Sequence, residues 1–140
     1  MTENIFDPTI NNLKSLGHIE KDDIVIACID QVSTGTVVLF GAIGAAIASS
    51  KADTYIMAIN GNGITLFDVD KKTGAYLGTQ SRLTKEEIVK AGIKGGLGSF
   101  SIMLKITSEK RTYSTSNKFR GRHQKEEIEK IKEFLKSNFQ

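Results

Sequence analysis

The strongest constraint in this chain is the Asn60-Gly61-Asn62-Gly63 tetrapeptide, which joins two short apolar runs. Asn and Gly are the residues that accept the positive φ of tight hairpin turns. The run before it, Thr54 to Asn60, and the run after it, Ile64 to Val69, are rich in β-branched and aromatic residues. Together they read as two antiparallel strands, and a fold built on such a hairpin needs further strands to complete a sheet.

Those strands are present. Ile24 to Ile29 follows an acidic turn and reads as a strand buried on both faces. Asp70 to Gly74 reads as a second hairpin loop leading to a short strand near Ala75 to Thr79. Thr84-Lys85-Glu86-Glu87 has the form of a capping box. However, Val89, Ala91 and Ile93 alternate and Gly95-Gly96 follows, so the reading preferred here is a turn and then a strand. Phe100, Ile102, Leu104 and Ile106 alternate with more polar residues, the pattern of a strand with one buried face. Ser108 to Lys110 then turns the chain into a last strand, Arg111 to Thr115.

Helical spacing occurs only near the two ends. Asp7-Pro8 reads as an N-cap followed by Pro at the first helical position, with Ile10, Leu13 and Leu16 on one face and Gly17 as a stop. At the other end Ile128, Ile131, Phe134 and Leu135 keep a helical period, and Lys and Glu fill the opposite face. The expected class is therefore α+β, with about seven strands, a short N-terminal helix and an amphipathic C-terminal helix. No alternation of strand and helix points to a doubly wound fold.

Composition sets further bounds. A chain of 140 residues fits one domain able to bury its own core. The single cysteine, Cys28, cannot form an internal disulfide and falls in a strand read as buried, which makes it a structural thiol. The first residues lack the basic and apolar regions of a secretory signal. The longest apolar run, Val37 to Ala48, is shorter than the roughly 20 residues of a membrane-spanning helix. The expected location is cytoplasmic, including the periphery of a membrane. Charge is uneven. Residues 1–70 hold 3 Lys/Arg against 9 Asp/Glu, a net of −6, and residues 71–140 hold 16 against 7, a net of +9, giving +3 overall. A basic face contributed by the C-terminal half is expected.

Antiparallel hairpins closed by a C-terminal amphipathic helix resemble the pleckstrin-homology-like (PH-like) barrel. Tyr55-Ile56-Met57-Ala58-Ile59-Asn60 and Gly63-Ile64-Thr65-Leu66-Phe67 resemble the central hairpin of bacterial PH-like domains. Leu83-Thr84-Lys85-Glu86-Glu87-Ile88 is similar to the segment entering their fifth strand, and the Gly/Ala-rich run before the hairpin also recurs in them. The resemblance covers about residues 20–137 and implies one domain spanning 1–140, with a PH-like core and a helical extension over 1–19. It implies a strongly bent antiparallel sheet capped by the last helix, serving as a binding platform. One departure is functional. Phosphoinositide-binding members carry Lys and Arg after the first strand, whereas Thr34 to Ser50 has no charge before Lys51.

Three sets of residues are candidates for binding. Lys105, Lys110, Arg111, Lys118, Arg120, Arg122 and Lys125 form a basic set suited to phosphate or an anionic membrane. Gly41, Gly44 and Ala48 offer a small-residue surface for a subunit or lipid contact. A peptide groove is expected between the strand holding Val89, Ala91 and Ile93 and the helix face of Ile128, Ile131 and Leu135. Gly41 to Ala46 lacks the strand–helix context of a dinucleotide loop, and no Cys/His spacing suggests zinc. No catalytic residues, cofactor or metal are expected. The function read from these features is a non-catalytic binding or assembly module that self-associates or docks on a protein or an anionic membrane. The alternatives are nucleic-acid or other polyanion binding through the basic half, and an enzyme of unrecognised type. Nucleic acid is disfavoured because few aromatic residues accompany the basic set.

Overall fold

The computed structural model describes residues 4–30, 53–107 and 109–138. Its elements are α1 (Asp7–Ser15), β1 (Ile24–Asp30), β2 (Thr54–Asn60), β3 (Gly63–Val69), β4 (Tyr76–Thr84), β5 (Ile88–Gly96), β6 (Ser99–Ile106), β7 (Glu109–Ser116), two-residue strands β8 (Lys118–Phe119) and β9 (Arg122–His123), and α2 (Lys125–Asn138). The first seven strands form one antiparallel sheet in the order β4-β3-β2-β1-β7-β6-β5, and β8 pairs only with β9.

The β2–β3 hairpin forms where the sequence places it, closed by the Asn60–Gly63 pair. Its turn chemistry differs from the expectation. Gly61 and Asn62 keep ordinary φ, and the positive φ falls on Gly63 at 143°. Glycine is required there for a second reason: a Cβ would sit 2.1 Å from the Leu83 carbonyl oxygen of β4. Thr84 and Glu87 make one of the two bonds of a capping box: Glu87 Oε1 accepts from the Thr84 N–H and also from the Thr84 hydroxyl, while the Glu87 N–H donates to the Thr84 carbonyl and not to its side chain. No helix follows, and the pair closes the turn between β4 and β5.

Two cores lie on opposite faces of the sheet. Ile26 and Cys28 of β1, Met57 and Ile59 of β2, and Leu104 of β6 meet Ile128, Ile131 and Leu135 of α2. Val25, Ala27 and Ile29 of β1, with Ile56 and Phe67, meet Ile10 and Leu13 of α1 on the other side. Strand β1 is therefore buried on both faces, as its unbroken apolar run requires. The N-terminal segment is more than an extension. Phe6 and Leu13 are fully buried, and the Phe6 ring lies 5.6 Å from that of Phe119. The first core also joins Leu83 of β4 to Ile88 and Ala91 of β5, the two ends of the strand order. The sheet thus curls round α2. It is not a closed barrel, because β4 and β5 do not pair and each remains an edge.

Among the described residues β1 and β7 share a short ladder, paired at Ile29–Ser114 and Asp30–Tyr113. Beyond that point the backbone of Ala27 is satisfied by a side chain. Ala27 N–H donates to Gln124 Oε1 at 3.0 Å, and Gln124 Nε2 lies 3.1 Å from the Ala27 carbonyl. Gln124 Nε2 also reaches Thr115 Oγ1 at 2.6 Å and the Ser116 carbonyl at 3.0 Å, while Arg122 donates to Oε1 at 2.9 Å. Arg122 in turn holds Asp7 of α1 at 2.9 Å. This explains why Asp7 is not the N-cap of α1. The Phe6 and Asp7 N–H groups donate instead to the Asn4 side chain, leaving the Asp7 carboxylate for Arg122.

A buried amide with this many partners cannot be removed cheaply. Gln124→Ala should destabilise the fold by about 2 kcal/mol, since it strands the Ala27 N–H and removes one partner each from the Ala27 carbonyl, which keeps the Thr115 hydroxyl, and from Arg122, which keeps Asp7. Urea denaturation of the two proteins measures the difference, and a loss below about 1 kcal/mol would show that water replaces the amide.

Candidate anion-binding face

The sheet register creates an arrangement of charge on β5, β6 and β7. Their core-facing residues are Ala91, Ile102, Leu104 and Tyr113. The alternate positions face the other way. On that outer face Lys90 is the partner of Lys105, and Lys105 is the partner of Lys110. Three ammonium groups thus stand in one row across three strands. Lys94 lies four residues along β5 on the same face, and all four lysines are exposed. Among the described residues none of the four is in an ion pair.

Between the row and Lys94 the side chains shrink. Gly92, Met103 and Thr112 are mutual cross-strand partners, and nothing lies within 4 Å of where a Gly92 Cβ would be. All four lysines, or the chain beside them, border a cavity of about 760 Å³ that Met103 and Thr107 also line. That volume suits a small ligand or a surface headgroup. Glu109 borders the same space, but its carboxylate is held by Arg111 at 2.7 Å.

The basic set expected from the sequence is divided by the fold. Lys105 and Lys110 belong to the row, where they are joined by Lys90 and Lys94, which the sequence reading did not select. Arg111 is half-buried and engaged with Glu109. Arg122 is buried in the Gln124 network, so it cannot face a ligand. Arg120 bonds the Lys71 carbonyl. Lys118 and Lys125 are exposed on β8 and at the start of α2, outside the three-strand row. In the expected peptide groove, Ala91, Ile128, Ile131 and Leu135 are buried against one another, so the chain itself fills the space between β5 and α2. Ile93 packs on that core half-buried. Val89 is exposed because the register shifts between Ile88 and Lys90, which puts Ile88 in the core in its place. Gly41, Gly44 and Ala48 lie outside the described residues.

No protein-family model, curated protein or solved structure matches the chain. Chemistry at the site therefore rests on geometry. Near the β1–β7 pairing, burial first and then the charge of Asp53 push the Asp30 carboxyl above its ordinary range, against the pull of Arg111. Burial likewise pushes up the Cys28 thiol and the phenol of Tyr55, whose ring meets Tyr113 edge-on at 5.8 Å. Burial holds the Cys28 thiol and the Tyr55 phenol neutral rather than activated. Among the described residues no cluster of three or more His, Cys, Asp or Glu side chains could hold a metal ion. Nor is any described helix long and apolar enough to cross a membrane.

Two stability tests follow from these charges. Like charges directly opposite across strands destabilise a sheet. Lys105→Thr, which removes the middle charge, should stabilise the fold by about 0.5 kcal/mol at low salt, and the gain should shrink at high salt. Denaturant titrations at two ionic strengths check both parts. For Asp30 the folded-state pKa lies above the unfolded one, so the native state binds the extra proton and stability falls as pH rises from about 4 through the folded value. Asp30→Asn should therefore raise the melting temperature at pH 7, and the gain should vanish below about pH 4.

Proposed function

We propose that this chain is a non-catalytic, PH-like binding module that docks on a polyanionic surface through the outer face of β5, β6 and β7. The observation that carries the reading is the in-register row of Lys90, Lys105 and Lys110 beside the cavity. Three adjacent like charges cost folding energy. An anion bound across them turns that cost into binding energy, because each ammonium then gains a partner. The strand order, the curl of the sheet round one helix and the free β4 and β5 edges support the PH-like comparison. The site, however, is on the strands rather than on the connection after β1, where phosphoinositide-binding members carry their cations.

The test is binding to heparin and to vesicles containing phosphatidylglycerol over a range of salt. The unaltered protein should bind both, with affinity falling as salt rises. The triple variant Lys90→Gln, Lys105→Gln, Lys110→Gln should lose at least about tenfold in affinity for each. Unchanged binding by the triple variant would remove the site, and failure to bind both heparin and vesicles would remove the proposed function.

A further inference from the structure

The β5–β6 hairpin turns through Leu97 and Gly98, closed by the Gly96–Ser99 pair. Both central residues have positive φ, 54° at Leu97 and 87° at Gly98. A two-residue turn of this kind favours Asn, Asp or Gly at its first position, where the left-handed conformation is tolerated. Leucine is a poor choice there, since an L side chain is strained in that region. It gains nothing back from the fold, because Leu97 is 109% exposed, the most exposed of the large apolar side chains among the described residues.

A second turn in the same chain shows what such strain ordinarily accompanies. Arg120 and Gly121, between Phe119 and Arg122, have φ of 48° and 89°. Arg120 occupies the strained position, and its guanidinium bonds the carbonyl of Lys71. The conformation of Arg120 thus serves a contact within the protein. That of Leu97 points an apolar side chain at solvent.

A single exposed leucine is unremarkable by itself. Its surroundings give this one a partner. Lys94 lies three residues before it on β5, about 10 Å along the strand, and the Lys90–Lys105–Lys110 row is about 13 Å further along the same face. On the other flank Asn117 N–H bonds the Gly98 carbonyl at 2.9 Å, which brings the exposed Lys118 beside the turn. Gly95, Gly96 and Gly98 present no bulk round the leucine. The result is an apolar point at the end of a basic strip. A soluble polyanion has no use for the leucine, whereas a bilayer with anionic headgroups accepts both parts: lysines at the headgroups and the leucine in the acyl boundary.

We infer that the β5–β6 hairpin is a membrane-docking element, in which the lysine face lies against anionic lipid and Leu97 inserts as an apolar anchor. This rests on the polyanion-binding reading above and names the bilayer as its surface. The chain contains no tryptophan, so Leu97→Trp gives a single reporter at the point of insertion.

With vesicles of phosphatidylglycerol and phosphatidylcholine, Leu97→Trp should bind, shift its emission to the blue and be quenched by lipids brominated on the acyl chain. Leu97→Ser should bind the same vesicles about tenfold more weakly while binding heparin unchanged. Leu97→Gly relieves the strained φ, so it should unfold at a higher temperature than the unaltered protein and yet bind vesicles more weakly. A residue that served only the fold would not separate those two readouts. Vesicle binding by Leu97→Trp without a blue shift or quenching would overturn the anchor, as would Leu97→Ser binding vesicles at full strength. Heparin binding without vesicle binding would overturn the bilayer as the surface and leave the lysine site standing. Loss of neither heparin nor vesicle binding in the triple lysine variant would instead remove the reading on which the inference rests.

Discussion

Everything in this fold hangs on the side-chain amide of Gln124. Among the described residues the β1–β4 half and the β5–β7 half share two residue pairs of ladder, and the sheet opens beside Ala27. A buried N–H and a buried C=O must both find partners there. An amide side chain is the one kind that offers an acceptor and a donor in the spacing of a peptide group, so Gln124 stands in for a paired strand residue. A glutamate could accept from Ala27 but not donate to it, and would bury a charge. The same residue opens α2, since its carbonyl accepts from Ile128 N–H at 3.0 Å. One side chain thus fixes the seam of the sheet and the entry of the helix that fills the first core. Through Arg122 and Asp7 it reaches the helix on the opposite face.

Much of the architecture was legible because it depends on short-range pattern. The Thr54–Asn60 strand, the hairpin at Asn60–Gly63 and the alternating strand through Ile102 and Leu104 stand where periodicity put them. So does the buried face of Ile128, Ile131 and Leu135. What periodicity could not show was the competition between partners. Asp7 has the right type and place for an N-cap, yet a residue 115 positions away claims its carboxylate. Thr84 and Glu87 have the spacing of a capping box and make one of its two bonds, but the residues that follow prefer a strand. Arg122 looked like part of a basic surface because a sequence does not reveal that Gln124 lies buried beside it.

The lysine row was hidden for a different reason. Lys90 and Lys105 become neighbours only when the β5–β6 turn is centred on Leu97 and Gly98, and Lys110 joins them only through the next turn. The signal was available in principle. Lys90, Gly92 and Lys94 run out of phase with Ala91 and Ile93, as Lys105 does with Leu104 and Ile106. What obscured it was the register shift between Ile88 and Lys90, which breaks the alternation through Val89. The row and the leucine at the hairpin tip share a character. Each is a local choice that opposes folding, and neither is compensated within the described protein. Elsewhere such conflicts are resolved inside the fold, as at Gly63, where the missing Cβ makes room for β4.

The long reach of Gln124 also bears on how the chain is made. Ala27 and Gln124 are separated by 97 residues, and Asp7 and Arg122 by 115. A ribosome releases β1, β2 and β3 well before either partner exists. The β2–β3 hairpin can close early, yet the open side of β1 must wait until Gln124 has emerged. During that interval β1 offers an unpaired, largely apolar edge to any other nascent strand nearby. A fold fastened by contacts about a hundred residues apart in sequence completes slowly for its size.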